Sequence, residues 1–169
     1  MFSLRCMACA WQGADADLNN CPICGATLEI TYASPTLPVA DAQPGIWRYA
    51  ARLPLHDLTY AVSLGEGNTP LLRSAHLGPE LGLAALYFKM ESANPTGSYK
   101  DRIAAVGIAR LLELGKKGWA ATSSGNAGAA IAAYGARAGV NGYLFTVEKY
   151  AKAKVAQILA YGPQAWAVT

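Results

Sequence analysis

Residues 119–147 read WAATSSGNAGAAIAAYGARAGVNGYLFTV, and this stretch decides the fold class. Trp119–Thr122 is a short apolar run that predicts a buried strand, and the alanine-rich run Asn126–Ala138, followed by Gly139, predicts a helix. Tyr143–Val147 predicts a second strand. Strands that alternate with helices of this length indicate an α/β fold with a parallel sheet.

The same alternation continues on both sides of this stretch. Asp101–Leu114 carries apolar residues at helical spacing and is followed by Gly115, and Ala151–Tyr161 predicts a further helix. Leu83–Met90 and Ala165–Val168 predict additional strands. Because the chain stops inside the last of these strands, and a parallel sheet needs both faces covered, we expect the sequence to be the N-terminal portion of a longer protein.

The composition excludes several classes of protein. The 169 residues are 53% hydrophobic and 15% charged, which argues against a disordered chain. The net charge is +3, and no basic run is longer than Lys116-Lys117, so nucleic acid is not an expected partner. No apolar stretch approaches the ~18 residues of a membrane span, and the N-terminus lacks the apolar segment of a secretory signal. We therefore expect a cytoplasmic protein with no membrane partner.

The first 24 residues contain all four cysteines, spaced C-x2-C-x11-C-x2-C. Two C-x-x-C turns bring four thiolates to one ion, which is the tetrahedral sulfur set that zinc prefers. Two disulfides or four free thiols are the alternatives. A closed set of four thiolates leaves no open position, so the predicted metal is structural. The predicted ligands are Cys6, Cys9, Cys21 and Cys24.

Lys100 lies at the start of the helix that is predicted to follow residues 91–99. Residues 91–102 read ESANPTGSYKDR, in which Ser98 and Asp101 have the spacing of a capping box. Lys100 is thereby predicted in the first helical turn, where the helix dipole disfavours its protonated form. An unprotonated lysine can attack a carbonyl to form a Schiff base. A solvated surface lysine is the alternative, and by physics alone it is the commoner case.

The loop TSSGNAG at residues 122–128 joins a predicted strand to a predicted helix. Free backbone N–H groups at a helix N-terminus favour an anion such as a phosphate or a carboxylate. Ligands of open α/β sheets bind at the carboxyl ends of the strands, where this loop lies. An ordinary Ser or Asn N-cap is the alternative.

Taken together, four blocks in this order resemble the threonine synthase group of fold-type II pyridoxal-phosphate enzymes. The resemblance implies an α/β fold with a three-layer parallel sheet of the tryptophan synthase beta-like type, incomplete here, after an N-terminal zinc ribbon with four cysteine ligands. It implies a ribbon at 1–33, a connector at 34–62 and part of the catalytic domain at 63–169. The blocks are the cysteine ribbon, Val62–Leu71 (VSLGEGNTPL), Asn94–Arg102 and Ser123–Gly128, with a weaker fifth at Lys154–Gly162.

The resemblance also assigns roles to residues. Lys100 matches the lysine that carries pyridoxal 5'-phosphate as a Schiff base, and Tyr99 replaces the usual phenylalanine of that motif. Asn126 is expected to hydrogen-bond the 3′-oxygen of the cofactor. The Gly65–Thr69 loop is expected to face the active site. The substrate carboxylate is expected at Ser123, Ser124, Gly125 and Ala127.

Two parts of the family pattern are not visible in the chain. No two glycines are adjacent, so the glycine-rich loop that holds the cofactor phosphate is missing. The Ser or Thr that contacts the pyridine nitrogen is expected beyond residue 169. The 169 residues alone are therefore expected to be catalytically inactive.

The implied reaction is the conversion of O-phosphohomoserine and water to threonine and phosphate, with a small amino acid as the substrate. Cysteate synthase and threonine dehydratase-like enzymes are alternatives within the same family. A non-catalytic zinc-ribbon binding module is an alternative from a different class. A homodimer of the full-length protein is compatible with the resemblance.

Overall fold

The N-terminal residues form a small antiparallel sheet around the four cysteines. In its centre β1 (Phe2–Cys6) pairs with β2 (Gln12–Gly13) on one side and with β3 (Leu28–Tyr32) on the other. Phe2, Leu4 and Cys6 alternate inward along β1 and are buried. The computed structural model of the chain describes residues 2–14, 17–33, 43–123, 125–147 and 152–168.

Short 3-10 turns connect this sheet to the rest of the molecule. They span Gly45–Arg52, with a kink at Tyr49, and Leu58–Tyr60. The Tyr32 hydroxyl donates to the carbonyl of Arg52 at 2.7 Å, and Trp47 is buried in the core. These contacts hold the ribbon against the α/β part of the chain.

A two-stranded antiparallel sheet precedes the lysine motif. It consists of β4 (Leu71–Arg73) and β5 (Tyr87–Lys89), with the short helix α1 (Leu77–Glu80) between them. The strand predicted over Leu83–Met90 is therefore wrong in its first half. The N–H of Leu83 donates to the carbonyl of Gly78 at 2.8 Å and closes the end of α1, so it takes no part in strand pairing.

The parallel sheet confirms the α/β prediction. Its order is β6-β7-β8, and both neighbouring pairs are parallel. Among the helices of the described ranges, none is long and apolar enough to cross a membrane. The elements in chain order are α2 (Lys100–Glu113), β6 (Gly118–Ala121), α3 (Asn126–Ala138), β7 (Asn141–Val147), α4 (Lys152–Ala160) and β8 (Gln164–Val168).

Alanines and glycines let the helices approach the sheet closely. Helix α3 packs against α2, α4, β6 and β7, and most of its alanines are buried. The Trp119 ring occupies the space above two glycines. A Cβ on Gly135 would lie 2.3 Å from Trp119 Nε1, and one on Gly142 would lie 2.2 Å from Trp119 Cζ2. This close packing fixes α3, and with it the loop that precedes α3.

Gly128→Ala is expected to destabilise the fold, because the added Cβ would lie 1.8 Å from the carbonyl oxygen of Ser123. Such overpacking costs about 1–3 kcal/mol or more. Gly107→Ala is the matched control: it lies inside α2 with nothing within 4 Å of its Cβ, and it should gain about 0.5–1 kcal/mol. Urea unfolding measures both, and equal stability of the two variants would contradict the packing described here.

Candidate active site and metal centre

Lys100 is the first residue of α2 and so lies in its first turn, as the sequence predicts. The Ser98 hydroxyl accepts from the Lys100 N–H at 3.3 Å. As the predicted capping box requires, the backbone N–H of Ser98 interacts with the Asp101 carboxylate. This carboxylate is fully buried and accepts from the N–H and the hydroxyl of Thr96 at 3.1 and 3.0 Å, and burial raises its pKa. The tight turn at residues 96–98 brings Thr96 within hydrogen-bond distance of this carboxylate.

The Lys100 amine is held by little besides an aromatic ring. Its Nζ lies 4.4 Å from the centre of the Tyr99 ring, and the side chain is half-buried. Within the part of the chain that the structure describes, this amine forms no ion pair and no hydrogen bond. It is therefore available to react with a carbonyl.

A cleft of about 350 Å³ opens between α2 and α3 at the carboxyl end of β6. Lys100 lies on one wall, and Ser123 and Ala127 lie on the other. The rest of the lining is mainly apolar, including Ile103 and Ile131. The structure thus brings the predicted lysine and the predicted anion-binding loop together at one site.

The remaining described residues of the 122–128 loop lie at the start of α3. Asn126 is exposed at the start of α3, and Gly125 occupies the N-cap position with no side-chain cap. The alternative of an ordinary Ser or Asn N-cap is therefore wrong. Among the described residues no side chain caps the first N–H groups of α3, which favours an anion at this point. Ser124 lies outside the described residues.

The loop at residues 63–69 is tied to α3 by a buried carboxylate that the sequence did not single out. Glu66 is fully buried, and its Oε2 accepts from the Ser63 hydroxyl, the Leu64 N–H and the Tyr134 hydroxyl at 2.8–3.0 Å. Burial, together with the hydrogen bond to Glu66, raises the pKa of Tyr134. This contact spans 68 residues of sequence, so no local pattern could reveal it.

A second carboxylate links the same loop to the lysine helix. Glu91 Oε2 accepts from Arg102 Nε at 2.8 Å and from Asn94 Nδ2 at 2.9 Å. Its Oε1 accepts from Arg102 Nη2 at 2.8 Å and from the Thr69 hydroxyl at 2.7 Å. Asn94 Oδ1 in turn accepts from the Gly67 N–H at 3.0 Å. We call Thr69, Glu91, Asn94 and Arg102 the Glu91 cluster.

The Glu91 cluster makes stability depend on pH. Its hydrogen bonds, first those from Arg102, lower the pKa of Glu91 from 4.5 to about 2. A carboxyl whose pKa is lower in the folded state stabilises the fold at neutral pH, and this contribution is lost as pH falls from about 4.5 toward 2. Urea unfolding should therefore show that Glu91→Gln weakens the protein clearly at pH 7 and progressively less below pH ~4.5. A difference that stays constant across this range would contradict the ion pair.

The four cysteines form one cluster, as their spacing predicts. Their sulfur atoms all lie within 4.8 Å of one another, with Cys6–Cys24 at 3.5 Å and Cys9–Cys21 at 3.7 Å. A tetrahedral ion with zinc–sulfur distances of about 2.3 Å needs sulfurs about 3.8 Å apart. The N–H of Ala8 donates to Cys6 Sγ, and this hydrogen bond lowers the pKa of that thiol to about 6, whereas burial and the neighbouring thiols raise the pKa of Cys9 to about 12. The donor set therefore fits zinc.

Comparisons with known proteins identify the family of enzymes to which the chain belongs. Residues 62–169 match the family model described as pyridoxal-phosphate dependent enzyme, so the chain belongs to this family of enzymes. It is 41% identical over 167 residues to the threonine synthase of Methanocaldococcus jannaschii, covering 94% of this chain and 41% of that protein. It is 37% identical over 169 residues to the threonine synthase of Methanosarcina acetivorans, covering 96% and 41%. The chain thus spans about two fifths of the length of these relatives.

Solved structures agree on the fold. A pyridoxal 5'-phosphate-dependent aspartate racemase superposes with a TM-score of 0.56 at 31% identity, covering 59% of this chain and 32% of that one. A serine racemase from Dictyostelium discoideum superposes with a TM-score of 0.53 at 34% identity, covering 57% and 32%. The fold-type II architecture expected from the resemblance is confirmed.

The family implies pyridoxal phosphate, and the cleft suits it. The cofactor requires an amine for its aldehyde, and the Lys100 Nζ has no competing partner within the described ranges. The cleft has apolar walls for a ring, and its far side carries the start of α3. These features suit a flat aromatic aldehyde.

Proposed function

We propose that this chain supplies the cofactor-carrying lysine and the substrate-carboxylate loop of an enzyme that converts O-phosphohomoserine and water to threonine and phosphate. The observation that carries the proposal is the cleft that Lys100 shares with Ser123 and Ala127. The threonine synthase relatives, which match 94–96% of the chain, support this choice of reaction within the family.

Lys100 is proposed to act through its amine. When bound, the cofactor supplies an electron sink for carbanion chemistry. Lys100 Nζ would hold the cofactor covalently and would give up this place to the substrate amine. The freed Nζ would then remove a proton from the substrate α-carbon and move protons at the β- and γ-carbons, so that phosphate leaves from the γ-carbon and water adds at the β-carbon. One amine serves as base and as acid, so both of its protonation states must be accessible at the working pH.

The loop before α3 is proposed to orient the substrate. Its backbone N–H groups and the positive end of α3 attract the substrate carboxylate. Asn126 would donate to the 3′-oxygen of the cofactor and so orient its ring. The proposed carboxylate-binding residues are Ser123, Ser124, Gly125 and Ala127.

The ribbon is proposed to have a structural role. A sheet this small has little core of its own, and a zinc ion at its four thiolates supplies the missing stability. We propose domain limits of 1–33 for the ribbon, 34–62 for the connector and 63–169 for the catalytic part. The proposed zinc ligands are Cys6, Cys9, Cys21 and Cys24.

The direct test is turnover by the whole protein that contains this chain. We expect phosphate and threonine to form in equal amounts from O-phosphohomoserine, and Lys100→Ala to abolish both products. Preferred production of a 2-oxo acid from threonine or serine would contradict the proposal and favour a dehydratase-like enzyme. The 169 residues alone should show no turnover, because they contain no glycine-rich loop for the cofactor phosphate.

A further inference from the structure

The last turn of α2 is in contact with the cysteine ribbon. Helix α2 carries Lys100 in its first turn and Glu113 in its last, which lie about 20 Å apart along the axis at 1.5 Å per residue. We propose that the ribbon and the last turn of α2 are energetically coupled, so that zinc at the four cysteines stabilises this end of the helix and the helix in turn tightens zinc binding. The inference rests on the proposed metal centre and goes beyond it by naming the element of the α/β part that responds to the metal.

The ribbon presents one aromatic ring to this end of α2. Phe2 is buried and lies on the same face of β1 as Cys6, one of the four predicted zinc ligands. Its ring stacks on the His56 ring, with centres 4.5 Å apart and planes inclined by 11°. The Arg110 guanidinium lies 5.6 Å from the centre of the Phe2 ring, within the range of a cation–π contact. Strand β1 therefore connects the metal centre to residues outside the ribbon.

A carboxylate of α2 binds the same residues from the helix side. Only 10% of the Glu113 side chain is exposed, and its Oε1 accepts from the backbone N–H groups of His56 and Asp57, both at 2.8 Å. Its Oε2 pairs with Arg110, one turn earlier in the helix. His56 is thus held to α2 through its backbone and to the ribbon through its ring. We call Phe2, His56, Arg110 and Glu113 the ribbon dock.

A second ion pair between the two parts lies in solvent. Lys116 pairs with Asp17 of the ribbon, and about half of each side chain is exposed, at 50% and 51%. Water and salt screen exposed pairs of this kind, so they contribute little to stability. The coupling is therefore assigned to the ribbon dock, and Lys116 offers a control in the same interface.

The metal enters this argument through the small size of the ribbon. Without zinc, a three-stranded sheet of this size has too little core to hold β1 in place. Loss of β1 removes the Phe2 ring from His56 and from Arg110, and it exposes the hydrogen bonds of Glu113 to water. Residues 53–58 and the last turn of α2 should then open more often. Because coupling between two sites is reciprocal, a change in the dock must also alter zinc affinity.

The first test measures zinc affinity in the whole protein that contains this chain, by competition with a chelator that changes colour on binding zinc. His56→Ala removes the stacked ring but keeps the backbone N–H that Glu113 binds. It should weaken zinc binding about three- to tenfold, as expected for the loss of one aromatic pair. Arg110→Gln removes the cation over the Phe2 ring and should also weaken zinc binding about threefold or more. Neither side chain belongs to the ribbon or to the predicted ligand set.

Two further variants separate coupling from a general loss of stability. Ile108→Val trims a fully buried side chain of α2 outside the ribbon dock, so it should lower overall stability and leave zinc affinity unchanged. Lys116→Ala removes the exposed ion pair and should change zinc affinity less than about twofold. Zinc bound equally tightly by His56→Ala, Arg110→Gln and the parent would overturn the coupling. A loss in Ile108→Val equal to that in His56→Ala would overturn it as well.

Hydrogen exchange followed by mass spectrometry measures the response of α2 itself and needs no variant. Removal of zinc from the parent under reducing conditions should speed exchange in peptides 53–58 and 108–114 about tenfold or more, because these segments lose their cover. Peptide 126–138, within the closely packed α3, should change less than about twofold. Exchange at 53–58 that does not respond to zinc overturns the coupling. Protein that holds no zinc overturns the metal centre and the coupling together, and neither result affects the assignment of Lys100.

Discussion

Lys100→Ala should eliminate stable attachment of pyridoxal 5'-phosphate to the protein. Lys100 is the lysine that lines the cleft between α2 and α3. The other lysines near this region are engaged elsewhere: Lys89 donates to the carbonyl of Thr69, and Lys154 donates to Gln157. We therefore expect the absorbance of the bound cofactor, and its trapping by borohydride, to disappear in this variant.

Lys117→Ala provides the control, because Lys117 is exposed and lies beyond the end of α2. This variant should bind the cofactor as the parent does. Retention of trapped cofactor in Lys100→Ala at the parent level would contradict the assignment of this lysine.

Cys21→Ser should unfold the ribbon and release the metal. Structural zinc bound by such sites contributes about 10 kcal/mol or more to folding, which exceeds what a three-stranded sheet of this size supplies itself. Cys21 is buried, and its sulfur lies 3.7 Å from that of Cys9, so a hydroxyl there breaks the set of four thiolates. Elemental analysis should give one zinc per chain for the parent and a large loss for the variant.

Ser3→Ala is a suitable control in the same sheet, because the Ser3 hydroxyl is exposed and bonds only to Thr31 among the described residues. It should keep its zinc. Protein purified without added metal that contains two disulfides and no zinc would contradict the metal centre.

Local patterns in the sequence predict the parallel sheet and its helices well. Helix α3 begins at Asn126 and ends at Ala138 as expected, because Gly139 adopts the left-handed conformation that closes a helix. The strand expected over Leu83–Met90 forms only over Tyr87–Lys89. The first part of this apolar run forms a turn and not a strand, because the Leu83 N–H closes the end of α1.

The candidate site also contains residues that the local sequence predicts and residues that it does not. Lys100 and the 122–128 loop stand out because each combines a reactive or anion-binding group with a helix start. Glu66 and Glu91 do not stand out, since their partners Tyr134 and Arg102 lie 68 and 11 residues away. Periodicity detects neighbours three or four residues apart, whereas these contacts exist only once the chain has folded.

The central claim is that Lys100 carries the cofactor, and peptide mapping tests it most directly. The whole protein that contains this chain is incubated with pyridoxal 5'-phosphate, reduced with borohydride and digested, and the modified lysine is identified by mass spectrometry. We predict that the pyridoxyl label is on Lys100. A label on Lys89 or Lys116, with Lys100 unmodified, would contradict the account.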